Sequence, residues 1–289
     1  MDSVLVLIAA PGSSAINTSV IETLRSFGGA PHWLSIGEAA EVKPFDGMQD
    51  FLDYLKSQPI DANLIPLENR RKKLLIADMD STMIHQECID ELGVLAGVGD
   101  HIKDITARAM RGELDFEGAL KERVGLLKGL DETVIAQLIR ERITFMEGGK
   151  TLIDTMKANG AYAALVSGGF TAFTSHVAAA LGFDENRANT LIIEDGQLTG
   201  EVAMPILGKE AKVESLLRIC SARTIARNDV IAVGDGANDI PMLLEAGMGV
   251  ALHAKPKVQE AAPISINHGD LTALLYLQGY HRTEFVLVS

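Results

Sequence analysis

The chain has 289 residues, enough to bury a sizeable core and to divide into two or more domains. Its formal charge of −13 argues against a nucleic-acid binder, whose footprint is a basic stripe, but leaves room for an anionic substrate held by local cations. Cys88 and Cys220 are the only cysteines and no apolar run reaches membrane-spanning length, so neither a disulfide framework, a zinc site nor a membrane span is indicated. Val4 to Ala10 is short and follows Asp2 rather than a basic stretch, unlike a signal peptide, which makes the cytoplasm the default expectation.

Residues 1–70 read as a small unit of their own. Val4 to Ile8 is a buried-strand run, and Pro11-Gly-Ser-Ser supplies a loop. Asn17 to Phe27 carries helical spacing and meets Gly28-Gly29 as a C-terminal stop. A second strand is expected over His32 to Ile36 and a helix over Met48 to Leu55. The basic run Arg70-Arg71-Lys72-Lys73 is expected to be a solvated boundary before the strand at Leu74. Residues 71–289 then alternate. Apolar strands at Leu74–Ala77, Ala161–Val166, Asp229–Val233 and Met248–Leu252 are separated by helical segments at Thr171–Leu181, Lys209–Cys220 and Ile240–Ala246. Such alternation predicts a parallel sheet covered by helices, an α/β class in which ligands bind beyond the carboxyl ends of the strands. Residues 86–155 are helical in pattern without a convincing strand, which is too long for a crossover and reads as an inserted helical cap.

The strand ends carry the chemistry. The first stops at Asp78-Met-Asp80-Ser-Thr82, two carboxylates that share a direction along an extended chain. Carboxylates at the mouth of a buried strand are costly unless a cation or a proton accompanies them. Taken alone, this D-x-D could simply end a strand in an Asx turn. The second strand ends at Ser167-Gly168-Gly169, a hydroxyl and open backbone N–H groups at a helix start, suited to phosphate. The third ends at Gly234-Asp-Gly-Ala-Asn-Asp239, with Asp235 between glycines that let backbone approach an ion closely. Lys212, near a helix start, would by itself be a surface lysine. Four such signals in order, each at an element terminus, are hard to obtain from folding requirements alone.

As a set, these stretches resemble the four motifs of the haloacid dehalogenase superfamily of phosphohydrolases. Residues 74–280 further resemble its phosphoserine phosphatase family, through Glu87 in His85-Gln-Glu-Cys-Ile-Asp90, Met110-Arg-Gly-Glu-Leu-Asp-Phe116, Arg123 in Leu120–Leu127, and Val166-Ser-Gly-Gly-Phe170. The resemblance implies a Rossmann-like core with an inserted cap, preceded by a small N-terminal α+β, ACT-like regulatory unit of the kind that often pairs across a homodimer. It implies that Asp78 is the nucleophile, forming an aspartyl-phosphate. Asp80 would donate a proton to the departing serine oxygen and later take one from water. Mg²⁺ would bind the Asp78 and Asp235 carboxylates and the Asp80 carbonyl. Ser167 and the Gly168 N–H would hold phosphoryl oxygens, and Lys212 would neutralise charge, positioned by Asp239. Asn238 would line the substrate site.

The same resemblance implies O-phosphoserine as the small-molecule substrate. Its ammonium asks for an acid, Glu87, and its carboxylate for a planar bidentate donor, Arg123. Met110 and Phe116 would shield the closed site from water. Release of serine would complete serine biosynthesis. Rival substrates are phosphothreonine, phosphohomoserine or another small phosphomonoester, and a rival class is a regulatory amino-acid sensor with catalysis secondary. The intact acids at 78, 80 and 235 speak against the latter.

Overall fold

Val4, Val6 and Ile8 face one side of the first strand and Leu5, Leu7 and Ala9 the other, and all six are buried. A strand apolar on both faces belongs in the middle of a covered sheet. The computed structural model, which describes residues 2–110 and 113–287, places it there. The first unit runs β1 (Ser3–Ala9), α1 (Thr18–Ser26), β2 (Pro31–Ser35), β3 (Ala39–Val42), α2 (Met48–Leu55) and β4 (Ile60–Pro66). Its four strands form an antiparallel sheet in the order β2-β3-β1-β4, the split βαβ arrangement. Asn17 caps α1 by accepting the Val20 N–H at 3.1 Å, and Gly28 leaves it at φ +97°. Leu5, Leu7 and Ala9 pack on α1 and α2, whereas Val4, Val6 and Ile8 join the core of the larger unit.

That larger unit begins with β5 (Leu74–Ala77). A neck follows, where Ile84 bridges Phe145 and the His85 N–H donates to the Thr144 carbonyl. Beyond it stand the helices α3 (Cys88–Leu95), α4 (Gly99–Met110), α5 (Phe116–Gly125) and α6 (Thr133–Glu141). The chain returns through α7 (Gly149–Ala158), β6 (Tyr162–Phe170), α8 (Thr171–Leu181) and β7 (Glu185–Asn189). A hairpin of β8 (Leu191–Glu194) and β9 (Gln197–Val202) precedes α9 (Lys209–Arg223), β10 (Val230–Gly234), α10 (Ile240–Glu245) and β11 (Met248–Leu252). Last come α11 (Pro256–Ala261), β12 (Ile264–Ile266) and α12 (Ala273–Leu277). Six parallel strands lie in the order β12-β11-β10-β5-β6-β7. Alternate residues of β5 sort to its two faces: Leu74 and Ile76 pack toward α9 and α10, while Leu75 and Ala77 face the other core. The run read as helical up to about 155 also takes in most of α7, which packs on β6, α8 and α12 and buries Leu152, Ile153 and Met156.

The basic run at 70–73 is solvated only in part: Arg71 and Lys73 are exposed, Lys72 is buried and Arg70 is half-buried. Arg70 pairs with Glu41 and donates to the carbonyls of Leu277 and Tyr276. Arg71 lies over the Tyr280 ring, 4.1 Å from its centroid, and Lys72 donates to the Asn228 carbonyl at 2.7 Å. The charges of Arg70 and Lys72 survive away from water because each meets a carboxylate or a carbonyl. Asp61 makes a second joint. Its carboxylate accepts the backbone N–H groups of Asn267, His268 and Gly269 at 2.7, 2.9 and 2.9 Å, while Asn63 exchanges two hydrogen bonds with the Ser265 backbone. The two sheets are thus bonded edge to edge through β4 and the β12 segment.

Candidate active site

From β5 the chain steps outward to β6 and β7, then crosses back to β10 on the other side. The carboxyl ends of β5 and β10 therefore flank the topological switch point, where open α/β sheets leave a crevice. Asp78 follows β5 and Asp235 follows β10, and both are buried. Lys212, in the first turn of α9, is 1% exposed and reaches between them. Its Nζ lies 2.8 Å from Asp78 Oδ2 and 2.5 Å from Asp239 Oδ1. Burial works against the ammonium, but Asp239 and Asp78 more than offset it and hold Lys212 above the ordinary lysine range. The other oxygen of Asp239 accepts the Gly236 N–H at 3.0 Å. Gly234 is required here: a Cβ would come within 2.4 Å of the Asp239 carboxyl carbon.

Thr82 Oγ1 donates to Asp235 Oδ1 at 3.3 Å, and burial together with the charge of Asp78 raises the Asp235 carboxyl above its usual range. Oxygens of Asp78, Asp235 and Asp239 all lie within 4.8 Å of one another. Three buried carboxylates at that spacing, offering only hard oxygen donors, fit a divalent cation of the magnesium or calcium type and relieve their mutual repulsion by binding one. Asp239 is engaged by Lys212 and the Gly236 N–H, and Asp78 by Lys212 and the Met79 N–H, whereas Asp235 accepts only from Thr82 among side chains, so a cation would meet the remaining lone pairs of Asp78 and the less engaged carboxylate of Asp235.

Asp80 sits one turn further on, before Ser81 at φ +55°. It keeps part of its surface open yet is ringed by protein. Burial first, then the negative charge of Glu87, push its carboxyl well above the usual range, against the pull of the Cys88 thiol. The Cys88 N–H, at the start of α3, points at Asp80 Oδ1 from 3.4 Å. On its other side is Gly169, where a Cβ would stand 2.8 Å from Asp80 Oδ2. Ser167, 2% exposed, turns its Oγ to accept the Gly169 N–H at 2.9 Å. Asn189 fixes this loop, donating to the Gly168 carbonyl at 2.8 Å and exchanging hydrogen bonds with the Leu207 backbone.

The cap closes from above. Phe116 packs so tightly on Gly168 that a Cβ there would lie 3.0 Å from its Cζ. Glu87, at the N-terminus of α3, accepts the Ser81 hydroxyl at 3.0 Å, and burial raises its carboxyl. Arg123, on α5, donates to the Ala119 carbonyl and to Thr106 Oγ1. Burial lowers its guanidinium, while Asp90, Glu87 and Asp80 favour its charge. The residues expected at the site thus converge: Asp78, Lys212 and Asp239 form one hydrogen-bonded cluster with an Asp235 oxygen within 4.8 Å of its carboxylates, Asp80, Ser167, Gly168 and Phe116 lie against it, and Glu87 and Arg123 are at the cap side. Asn238 stands beside Gly236, its Oδ1 2.3 Å from where a Cβ on that glycine would lie. Met110 ends α4, and its side chain lies outside the described residues, as do Arg111 and Gly112. Sequence reasoning missed Thr82, Asn189 and Asp90. Thr82 and Asp90 lay inside quoted motifs without being singled out, and Asn189 ends β7, a strand whose polar sequence gave no apolar run to announce it. Surface clefts of about 450 and 430 Å³, lined by Tyr162 and Arg218 and by Lys72 and Met248, open at the amino ends of the strands, away from these acids.

Residues 75–244 match the model of the haloacid dehalogenase-like hydrolases, and the chain belongs to that family. It is 44% identical over 234 residues to a phosphoserine phosphatase of Haemophilus influenzae, an alignment covering 79% of this chain and 74% of that one. Its fold is similar to a haloacid dehalogenase family hydrolase of Salmonella enterica serovar Typhi, with TM-score 0.83 at 31% identity, over 95% of this chain and 98% of that one. A substrate-bound phosphoserine phosphatase structure superposes with TM-score 0.67 at 43% identity, over 71% of this chain and 98% of that one.

Proposed function

We propose that the protein hydrolyses O-phospho-L-serine to L-serine and phosphate. The observation that carries the reading is the buried Asp78–Lys212–Asp239 cluster lying beneath a cap that presents the acid Glu87 and the guanidinium of Arg123. In this mechanism an Asp78 oxygen attacks phosphorus and the bond to the serine oxygen breaks. Asp80, whose environment favours the protonated carboxyl, delivers its proton to that oxygen. A water then attacks the aspartyl-phosphate, Asp80 takes its proton, and Asp78 is freed. Lys212 holds Asp78 in place and offsets charge on the phosphoryl group, while Ser167 and the Gly168 N–H hold its oxygens. Asp239 positions Lys212, and Asn238 lines the phosphate side. Mg²⁺, held by Asp78, Asp235 and the Asp80 carbonyl, would supply further neutralisation of the transferring group. Glu87 takes the substrate ammonium and Arg123 its carboxylate, and Phe116 and Met110 exclude water.

This activity fits the last step of serine biosynthesis in the cytoplasm; among the described residues no helix is long and apolar enough to cross a membrane. The N-terminal unit is proposed as a regulatory, ACT-like module that pairs in a homodimer. Because one face of its sheet is shared with the catalytic core, serine binding to it is best measured on the full chain carrying Arg123→Ala, which removes the active-site contribution. The decisive assay is magnesium-dependent phosphate release from O-phosphoserine, compared with phosphothreonine, phosphohomoserine and an ester lacking the amino-acid moiety. Asp78→Asn is expected to lower the rate at least ~10³-fold. Activity retained in that variant, or a preference for the plain ester, overturns the assignment.

A further inference from the structure

Among the described residues, Lys103 on α4 acts only on Asp90 of the site's acids, and three cations stand closer to the catalytic end of the site, two of them occupied. Lys212 is bound between Asp78 and Asp239, and Arg123 donates to Ala119 and Thr106. The third, Lys255, lies just beyond β11 on the loop that faces the end of β10. Its backbone is fixed. The N–H donates to the Asp235 carbonyl at 3.4 Å, its carbonyl accepts from Val258 and Gln259, Pro256 follows it, and the Gln259 side chain clamps the Ala254 carbonyl at 2.6 Å. Its side chain is exposed, and among the described residues it has no carboxylate within 4.0 Å. The ammonium is nevertheless close enough to Glu87, Asp90 and Asp235 to favour the charged form of all three. Those acids come from the cap and from the core, so Lys255 stands at the mouth where the two meet.

We propose that Lys255 is a capture residue for the anionic substrate, drawing the phosphate ester to the mouth between cap and core before the site closes; this rests on the phosphatase reading above. The physical need is plain. O-phosphoserine carries a net charge near −2 at neutral pH, because the second phosphate pKa is ~6. It approaches a chain of formal charge −13 whose site is lined by six carboxylates, Asp78, Asp80, Glu87, Asp90, Asp235 and Asp239. A free, flexible ammonium on a rigid backbone anchor can meet an incoming anion and then release it inward. Acting before chemistry, it affects kcat/KM more than kcat, and its effect is screened by salt.

The test is steady-state kinetics on O-phosphoserine across ionic strength, with the full chain and saturating magnesium. Lys255→Met is expected to lower kcat/KM about three- to fivefold at low salt, the range an exposed ion pair carries, with a smaller change in kcat and a flatter salt dependence. Lys255→Arg restores both. Lys257→Met removes the same charge from the following turn and controls for net charge. A Lys255→Met enzyme with wild-type kcat/KM and salt slope overturns the proposal, as does an equal loss in Lys257→Met. A wild-type enzyme inactive on O-phosphoserine overturns instead the reading on which the proposal rests.

Discussion

Adding one methyl group at Gly169 tests the placement of Asp80 without touching any charged residue. A Cβ at 169 would lie 2.8 Å from Asp80 Oδ2 and 3.1 Å from Ser167 Oγ, whereas ordinary contact begins near 3.4 Å, so the carboxylate must retreat by roughly 0.6 Å. The obstacle is the end of a short side chain that can rotate away, which makes the fold tolerant, and Gly169→Ala should move Tm by no more than about 2–4 °C, the equivalent of ~1 kcal/mol. Catalysis is less forgiving. A misplacement of about 1 Å costs on the order of 10²-fold, so a half-ångström shift of Asp80, the proposed proton donor, predicts a loss of roughly ten- to thirtyfold in kcat on O-phosphoserine. The loss should shrink for p-nitrophenyl phosphate in single-turnover phosphoenzyme formation, because that leaving group departs without a proton. The measurement is a single-turnover quench on both substrates beside a thermal melt. An unaltered rate on O-phosphoserine, or equal losses on both esters in that first step, refutes Asp80 as the proton donor held against Gly169.

The neighbouring substitution should behave differently. Gly168→Ala meets only the ring edge of Phe116, at 3.0 and 3.3 Å, so it should prop the cap and raise KM several-fold with a smaller change in kcat, read from steady-state kinetics. Metal dependence of stability should follow pH with a definite sign. Burial raises Asp80, Glu87, Asp235 and Asp239, so above the ordinary carboxylate range the folded chain retains protons that the unfolded chain has lost. That contribution to stability is therefore greatest at acid pH and is lost as pH rises through the folded values. Mg²⁺ at a hundredfold excess over its Kd should add about 2.7 kcal/mol, or roughly 5–10 °C in Tm, at pH 7.5, and clearly less at pH 5, where it must displace protons. Equal shifts at both pH values in a melting assay would count against a carboxylate-bound ion. Asp61→Ala strands three backbone N–H groups at the joint between the two sheets and should cost about 3–5 kcal/mol, seen as a drop of roughly 6–20 °C in Tm.

The site was legible in the sequence because its residues obey a positional rule. In a parallel sheet every strand points its carboxyl end to the same edge, so acids that end separate apolar runs must meet there, however far apart they are in the chain. Asp78 and Asp235 are 157 positions apart, and adjacent pairing of β5 and β10 alone brings them together. What the sequence hid is what tertiary partners decide. β4 was missed because Asp61 and Asn63 break its apolar run, and only the backbone of residues 265–269 gives those polar side chains a purpose. Arg70 and Lys72 look like solvent-facing charge until the carbonyls of Tyr276, Leu277 and Asn228 appear beside them. The β8–β9 hairpin carried a local signal, Asp195-Gly196, whose φ values of +50° and +77° suit a tight primed turn, but its short strands lack a continuous apolar run.

The two roles proposed for Asp78 and Asp80 rest on their surroundings rather than on their spacing. Asp78 has a cation bonded to it: Lys212 at 2.8 Å on one oxygen, with the Met79 N–H at 2.8 Å on the other, so its anion is held and aimed. Asp80 has instead the negative charges of Glu87 and Asp78 beside it and, among the described residues, the Cys88 groups as its donors, an environment that keeps a proton. The difference originates in Ser81, whose left-handed backbone turns the chain out of the strand direction and carries it toward the cap neck, where α3 supplies those donors. A β-branched residue at 81 would resist that turn, so Ser81→Val should disturb Asp80 while leaving the Asp78–Lys212 pair in place. The expected signature is a phosphoenzyme that still forms from p-nitrophenyl phosphate but hydrolyses slowly, because the water-activating base is misplaced. Quenched-flow detection of the phosphorylated chain reads it directly, and rapid turnover with no accumulation would show that the two carboxylates are not separated in this way.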